Sequence, residues 1–345
     1  HWALKTLIER DAKNGILKIS QGAYAREVIQ RFGFSEAKEA TTPSFDIGPQ
    51  SEMTPEDFPK DEKETVSIHA AFPFYEAVGC LWWLANISRP DIYLAVHRAA
   101  KYVSKPSKKL WAWITRIFCY LKRTSDLGVC YTRPKIESAQ VAQNSLHSIV
   151  PIDVPLLKGS ADASFADCDK KKSTLGQVYW FMGALIDWNS KTSTRVLDSS
   201  TDAECCSLVV FGKENAWLRD LLKELSIFKV NSPTPVQEDN TAAIALSGQG
   251  PTKRSRHYDI SFYRFKEQVE LREMVNISRS SVSLDILILR GRTAYSRADR
   301  LVDILFSSSE CLSPGRRAKL NQRNLLLWGR LRCGLRTCWQ KSWFI

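Results

Sequence analysis

The chain lacks an uninterrupted apolar run of the roughly 18 residues that a membrane-spanning helix requires. Glu76 breaks the best candidate. No secretory leader is recognisable, and the sequence opens at His1 rather than Met, so a fragment of a longer protein is expected. The nine cysteines show no paired spacing of the kind that binds zinc. Reduced thiols and an intracellular setting, not a secreted one, are the expectation. On that reading the sequons at Asn86 and Asn276 stay unmodified.

Basic charge is abundant, but it is unevenly spread. The 345 residues carry a net charge of +12. Residues 310–345 hold eight Lys/Arg against one acid, which is +7 of that total and leaves +5 for the rest. A polyanionic partner is plausible for the body only if the charge gathers into a patch.

The pattern of the chain changes twice. Residues 7–20 read as a hairpin turning at Asp11–Gly15, and Tyr24–Phe32 as an amphipathic helix stopped by Gly33. Residues 43–65, rich in Pro, Asp, Glu and Lys, read as a mobile linker. Three helical segments follow from Phe74 to Lys122, broken at Arg89-Pro90-Asp91 and Lys105-Pro106-Ser107. Trp111, Ile114, Ile117, Phe118 and Leu121 form a core-facing stripe. Lys108, Lys109, Arg116, Lys122 and Arg123 share that segment, either as a solvated face or as a track for nucleic acid.

After a second linker at 134–155, strands are expected near 157–163, 176–182, 184–188 and 235–238. Helices are expected at about 202–225 and 240–247 and from Asp259 onward. Periodicity alone gives an α/β domain without a topology.

Four carboxylates stand out within that region: Asp162 in GSADASFAD, Glu204 in SSTDAECCSL, Asp239 in VQEDNTAAIAL and Asp259 in KRSRHYDISFYRF. Gathering such charges is costly, since two of them about 4 Å apart repel by roughly 4 kcal/mol at an effective dielectric near 20. A pair of hard divalent cations reverses the sign and suits phosphodiester hydrolysis. Taken singly, each acid reads as a solvated charge or a turn. Asp202 and Glu204 fit macrodipole partners behind a Ser199–Thr201 cap, Asp239-Asn240 a turn or cap, and His257 a loop residue.

These blocks resemble the C-terminal part of the Pol polyprotein of copia-type LTR retrotransposons, where the end of reverse transcriptase is followed by ribonuclease H. Gly159–Asp167 is similar to GYSDADWAGD and Lys172–Phe181 to KSTSGYVF. Asp187–Cys205 is similar to SWKSKKQ…SSTEAEY, Glu238–Ile244 to CDNQSAI, and Arg256–Val269 to KHIDIRYHFIREQV. Upstream, Phe74–Pro106 is similar to YREAVGSLLYLA-TRPDI-FAV--LSRY---P, so the resemblance runs over roughly residues 7–270. Ser160, Ala161, Ser164 and Phe165 depart from the pattern close to the first acid, and Asp202 and Cys205 close to the second.

The resemblance implies a ribonuclease H-like mixed sheet with flanking helices over 156–309. Before it, over 1–133, stands a mostly helical remnant of the reverse transcriptase thumb and connection. It implies two Mg²⁺ or Mn²⁺ ions. Asp162 bridges both, Glu204 and Asp239 hold one each, Asp259 completes the set, and His257 assists proton transfer or product release. The implied substrate is the RNA strand of an RNA–DNA hybrid. Lys170, Lys171, Lys172, Lys253, Arg254 and Arg256 read either as phosphate contacts or as solvated loops. The implied partner is the remainder of the Pol polyprotein, in a cytoplasmic particle or the nucleus, with no membrane. The polymerase motif Tyr-x-Asp-Asp occurs nowhere in the chain, so no polymerase activity is expected. Residues 271–296 read as an atypical insertion before Arg300–Leu305, RLVDIL, which resembles the family's QLADIL. The tail at 310–345 fits either a shifted reading frame or a basic arm. The alternative for the whole chain is a decayed, non-catalytic fragment that at most binds nucleic acid.

Overall fold

In a computed structural model, the structure describes residues 1–45, 53–132, 157–181, 184–225, 233–249, 260–271 and 274–278. The second linker, Arg300–Leu305 and the tail lie outside these residues.

The chain begins with strands β1 (Trp2–Ala3), β2 (Thr6–Asp11) and β3 (Ile16–Ser20). The expected hairpin is β2–β3, and its turn forms because Asp11 Oδ1 accepts the backbone N–H groups of Lys13 and Asn14 at 3.0 Å each. Helix α1 (Gly22–Arg31) ends where Gly33 takes a left-handed φ of 76° that a side chain would resist. Helices α2 (Glu62–Ala71), α3 (Phe74–Ile87), α4 (Tyr93–Ala100) and α5 (Lys108–Arg123) follow, then strand β4 (Gly128–Thr132).

Residues 53–65 differ from the linker expected there. Thr54 and Asp57 form a capping box over a short 3₁₀ turn, and Asp61 caps α2 by accepting the Glu64 N–H at 2.7 Å. Asp57 and Asp61 are capping acids, and composition does not separate a capping acid from a solvated one. Strand β4 also escaped the sequence reading, because it pairs antiparallel with β3, more than a hundred residues earlier in the chain.

The core of this first body is built from the expected stripe of α5 with α3 and α4. Leu81, Leu84, Ile92, Val96, Leu110, Ile114 and Phe118 are sealed from solvent. Trp111 is only half-buried and stacks on Phe72, with ring centres 5.0 Å apart.

Strands β5 (Leu157–Ser164), β6 (Lys172–Phe181) and β7 (Ala184–Val196) then run antiparallel, followed by α6 (Ser200–Glu224), β8 (Thr234–Glu238), α7 (Thr241–Gln249), α8 (Ile260–Glu270) and β9 (Met274–Ser278). The sheet order is β7-β6-β5-β8-β9, with β8 and β9 parallel to β5. Three antiparallel strands, a helix and two parallel strands make the ribonuclease H-like mixed sheet with flanking helices. Strand β9 falls inside the segment expected to be an insertion. Its residues MVNIS complete the sheet edge beside β8, a role that only long-range pairing reveals.

Adjacent residues of β6 point to opposite faces. Tyr179 faces α6, stacks on Phe211 at 4.5 Å and donates its hydroxyl to the Phe211 carbonyl. Gly159 makes that approach possible, since a Cβ there would meet Phe211 at 2.1 Å. Val178 joins the core of α3 and α4 instead, together with Trp188 of β7. The helical body therefore covers the outer face of the nuclease-like sheet.

Candidate active site

Asp162 stands near the end of β5, and its position is set by pairing. Ser160 lies beside Gln237 in the parallel β5–β8 ladder, so two residues further on Asp162 comes level with Asp239, just past β8. Helix α6 delivers the third acid. Ser199 caps the helix by accepting the Asp202 N–H at 3.1 Å, and Glu204 follows within the next turn. Ser207, one turn on, ties the helix to the strands. Its Oγ accepts the Asp162 N–H at 3.1 Å and lies 2.9 Å from the Asp162 carbonyl, to which it donates.

The result is a convergence of three carboxylates from three elements. Asp162, Glu204 and Asp239 each present an oxygen, and those oxygens lie within 4.8 Å of one another. Asp162 and Glu204 are buried, and Asp239 is exposed. At such a spacing each charged pair repels by roughly 3–4 kcal/mol at an effective dielectric near 20. A donor set made only of hard anionic oxygens suits a divalent cation such as Mg²⁺ or Mn²⁺.

A fourth carboxylate adjoins them that the sequence reading missed. Glu238 is fully buried, and its Oε1 accepts the N–H groups of Asp239 and Asn240 at 3.0 Å each. Burial pushes its carboxyl up to about 8, the nearby charges of Asp239 and Asp162 push the same way, and the two backbone donors oppose them. Its other oxygen has no hydrogen-bond partner among the described residues. The signal was present in TPVQED, where Thr234, Val236 and Glu238 share the buried parity of β8.

Neighbouring polar residues take different roles. Asp202 has a structural role, pairing with Arg195 at 3.2 Å and accepting the Asp198 N–H, whereas Glu204 enters the cluster. Asn240 caps α7 by accepting the N–H groups of Ala242 and Ala243, and Asp239 remains with the other acids. Asp259, His257, Lys253, Arg254 and Arg256 lie outside the described residues.

The helical basic residues separate as well. Lys109 pairs with Asp57 at 2.7 Å, Arg116 binds the Thr42 carbonyl and hydroxyl, and Lys122 donates to the Ala37 carbonyl. These three bind α5 to the preceding segment, because a long cationic stem on a packed helix can lie along it and reach acceptors there. Lys108, Arg123, Lys170 and Lys171 are exposed, and Lys172 is half-buried at the start of β6. Phe165, which follows β5 directly, is an exposed aromatic at 42%.

No protein-family model matches the chain. Among curated proteins, it is 29% identical to the retrovirus-related Pol polyprotein from transposon TNT 1-94 of Nicotiana tabacum, over 82% of this chain and 20% of that protein. It is 27% identical to the corresponding polyprotein from transposon RE2 of Arabidopsis thaliana, over 86% of this chain and 18% of the relative. It thus spans about a fifth of the length of these relatives. A shorter match, 30% identical over 42% of this chain and 91% of the relative, is to the secreted RxLR effector protein 161 of Plasmopara viticola. Among solved structures, the ribonuclease H1 LC11, isolated from compost, superposes with a TM-score of 0.30 at 13% identity, covering 45% of this chain and 97% of that one. The foamy viral protease-reverse transcriptase in complex with RNA/DNA hybrid superposes with a TM-score of 0.36 at 8% identity, over 76% and 30%. The fold class is set by the strand order β7-β6-β5-β8-β9.

Proposed function

Starting from a chain similar over most of its length to the Pol polyproteins of plant copia-type transposons, we propose that it is a metal-dependent endoribonuclease that cuts the RNA strand of RNA–DNA hybrids. The observation that carries this reading is the convergence of Asp162, Glu204 and Asp239 within 4.8 Å. Two divalent ions, Mg²⁺ or Mn²⁺, when bound, supply an activated water and neutralise the departing 3′ oxygen. Asp162, Glu204 and Asp239 would hold them, with Asp259 completing the set and His257 assisting proton transfer or product release.

The chain's own contribution is placement. Ser207 locks the backbone of Asp162 to α6, so the two buried acids keep one spacing as the substrate arrives. Glu238 anchors the amides of Asp239 and Asn240, which holds the exposed acid against the buried pair. Preorganised carboxylates avoid rearrangement during the reaction, and this is where most of the rate gain of such a site arises. Lys108, Arg123, Lys170 and Lys171 are proposed phosphate contacts, with the remainder of a Pol polyprotein as the natural partner in an intracellular setting.

The test is cleavage of a hybrid labelled in its RNA strand by the full chain, with Mg²⁺, Mn²⁺ or EDTA present. Asp162→Asn and Asp239→Asn should each lower the rate at least about a hundredfold, equivalent to roughly 2.7 kcal/mol of transition-state stabilisation. Rates equal to the parent's in both variants overturn the assignment. A parent that stays inert with either metal identifies a non-catalytic fragment instead.

A further inference from the structure

Where the helical body meets the nuclease-like sheet, cations from both sides are brought together. The last turn of helix α4 carries His97 and Arg98, and Lys101 is its C-cap. Lys101 Nζ lies 3.3 Å from Cys168 Sγ in the turn between β5 and β6, and Arg98 pairs with Asp167 of that turn at 3.6 Å. The same turn carries Lys170 and Lys171, both exposed and both in the left-handed region at φ 55° and 57°. From β7 comes Lys191, exposed and next to Thr192, whose hydroxyl lies 3.9 Å from Cys168 Sγ.

These charges act on one imidazole. His97 is half-buried, and its Nε2 is shut from solvent with no hydrogen-bond partner among the described residues. Burial first, then Lys101, Arg98 and Lys191, depress its pKa to about 3. An acid among them, Asp167, offsets Arg98 and also accepts the Thr174 N–H at 2.8 Å and the Thr174 hydroxyl at 2.9 Å. Like charges gathered this way repel, as the carboxylates of the active site do, and the complementary ligand is an anion.

We propose that this seam is a second nucleic-acid contact, in which Lys101 and Lys191, flanked by Lys170 and Lys171, bind successive backbone phosphates of a duplex. The identity of the polyanion rests on the nuclease reading above. The exposed lysines come from three separate elements, which fits a row of phosphates better than a single small anion. Lysine suits that role as a mobile point charge that neutralises phosphate without reading sequence.

The experiment measures binding of an RNA–DNA hybrid to the full chain in EDTA, where cutting is stopped, across a salt series. Removing two phosphate contacts in a K101Q/K191Q variant should make the slope of log affinity against log salt shallower by roughly two, at about 0.9 per contact. A K101R/K191R variant should keep the parental slope, and so should K13Q/K63Q, which removes two exposed lysines elsewhere. An unchanged slope in K101Q/K191Q, an equal change in K13Q/K63Q, or no hybrid binding by the parent overturns the seam. If the slope responds as expected but the parent cuts nothing with Mg²⁺ or Mn²⁺, the seam stands and the nuclease reading fails.

Discussion

Trp188 donates its indole N–H to the carbonyl of Ala85 at 2.9 Å, which joins the nuclease-like sheet to the last turn of α3. Helix C-terminal carbonyls lack an intrahelical donor, and the indole supplies one here. The side chain is 1% exposed and belongs to the same core as Leu81 and Val96. Trp188→Ala should therefore destabilise the chain by about 3–5 kcal/mol. Urea unfolding at fixed temperature measures this, and a shift under about 1 kcal/mol would show that the two bodies do not share a core. A fragment starting at residue 157 should be poorly soluble for the same reason, since it uncovers Trp188 and Val178.

Ser207 is predicted to matter for both stability and rate. Its hydroxyl meets the Asp162 amide and carbonyl and lies 3.2 Å from the Gly176 carbonyl. Ser207→Ala leaves buried backbone groups short of a partner, at a cost of about 1–3 kcal/mol. Hybrid cleavage should fall more than the melting curve accounts for, because Asp162 loses its tie to the helix that carries Glu204. Unchanged cleavage by a folded variant removes Ser207 from the positioning role.

Arg89 explains why the Arg-Pro-Asp-Ile stretch reads as a distinct block. Its guanidinium is buried, pairs with Asp91 at 2.7 Å, and donates to the Thr124 carbonyl and hydroxyl at 2.8 and 2.7 Å. The fork closes the turn before α4 onto the end of α5. Arg89→Ala, which strands the Asp91 charge, should cost about 3–5 kcal/mol. Arg89→Lys should rescue little of that in the same unfolding assay, because an ammonium cannot match the planar fork. Full rescue by Lys would show that charge alone suffices.

The depressed His97 pKa predicts an acid limb in stability. The folded imidazole stays neutral down to about pH 3, whereas the unfolded one takes up a proton near its ordinary 6.5. Its contribution is therefore complete above 6.5 and is lost as pH falls toward 3. At pH 4.5 the loss is about 2–3 kcal/mol from this group. His97→Gln should flatten the fall of the urea midpoint between pH 7 and 4.5, and an unaltered slope would assign the acid limb to other groups.

The residues themselves determined the local elements. The stripe from Ile114 to Leu121 required an amphipathic helix, Asp11 to Gly15 required a turn, and Ser199 placed the start of α6. In each case the interacting groups lie within a few residues, so chain connectivity already holds them together. The acids Asp162, Glu204 and Asp239 could be named as a set from their motifs. Tertiary structure decided what depends on pairing across distance. The β5–β8 register brings Asp162 level with Asp239, and β4 and β9 exist as strands only because distant partners await them. Lys109, Arg116 and Lys122 gained partners because folding brought Asp57, Thr42 and Ala37 beside them. Glu238 became the third buried carboxylate of the cluster, and Lys101 and Lys191 came to lie near one imidazole, through contacts between elements far apart in the chain. A one-dimensional pattern holds no term for such contacts, because their strength depends on separations that only the packed chain sets.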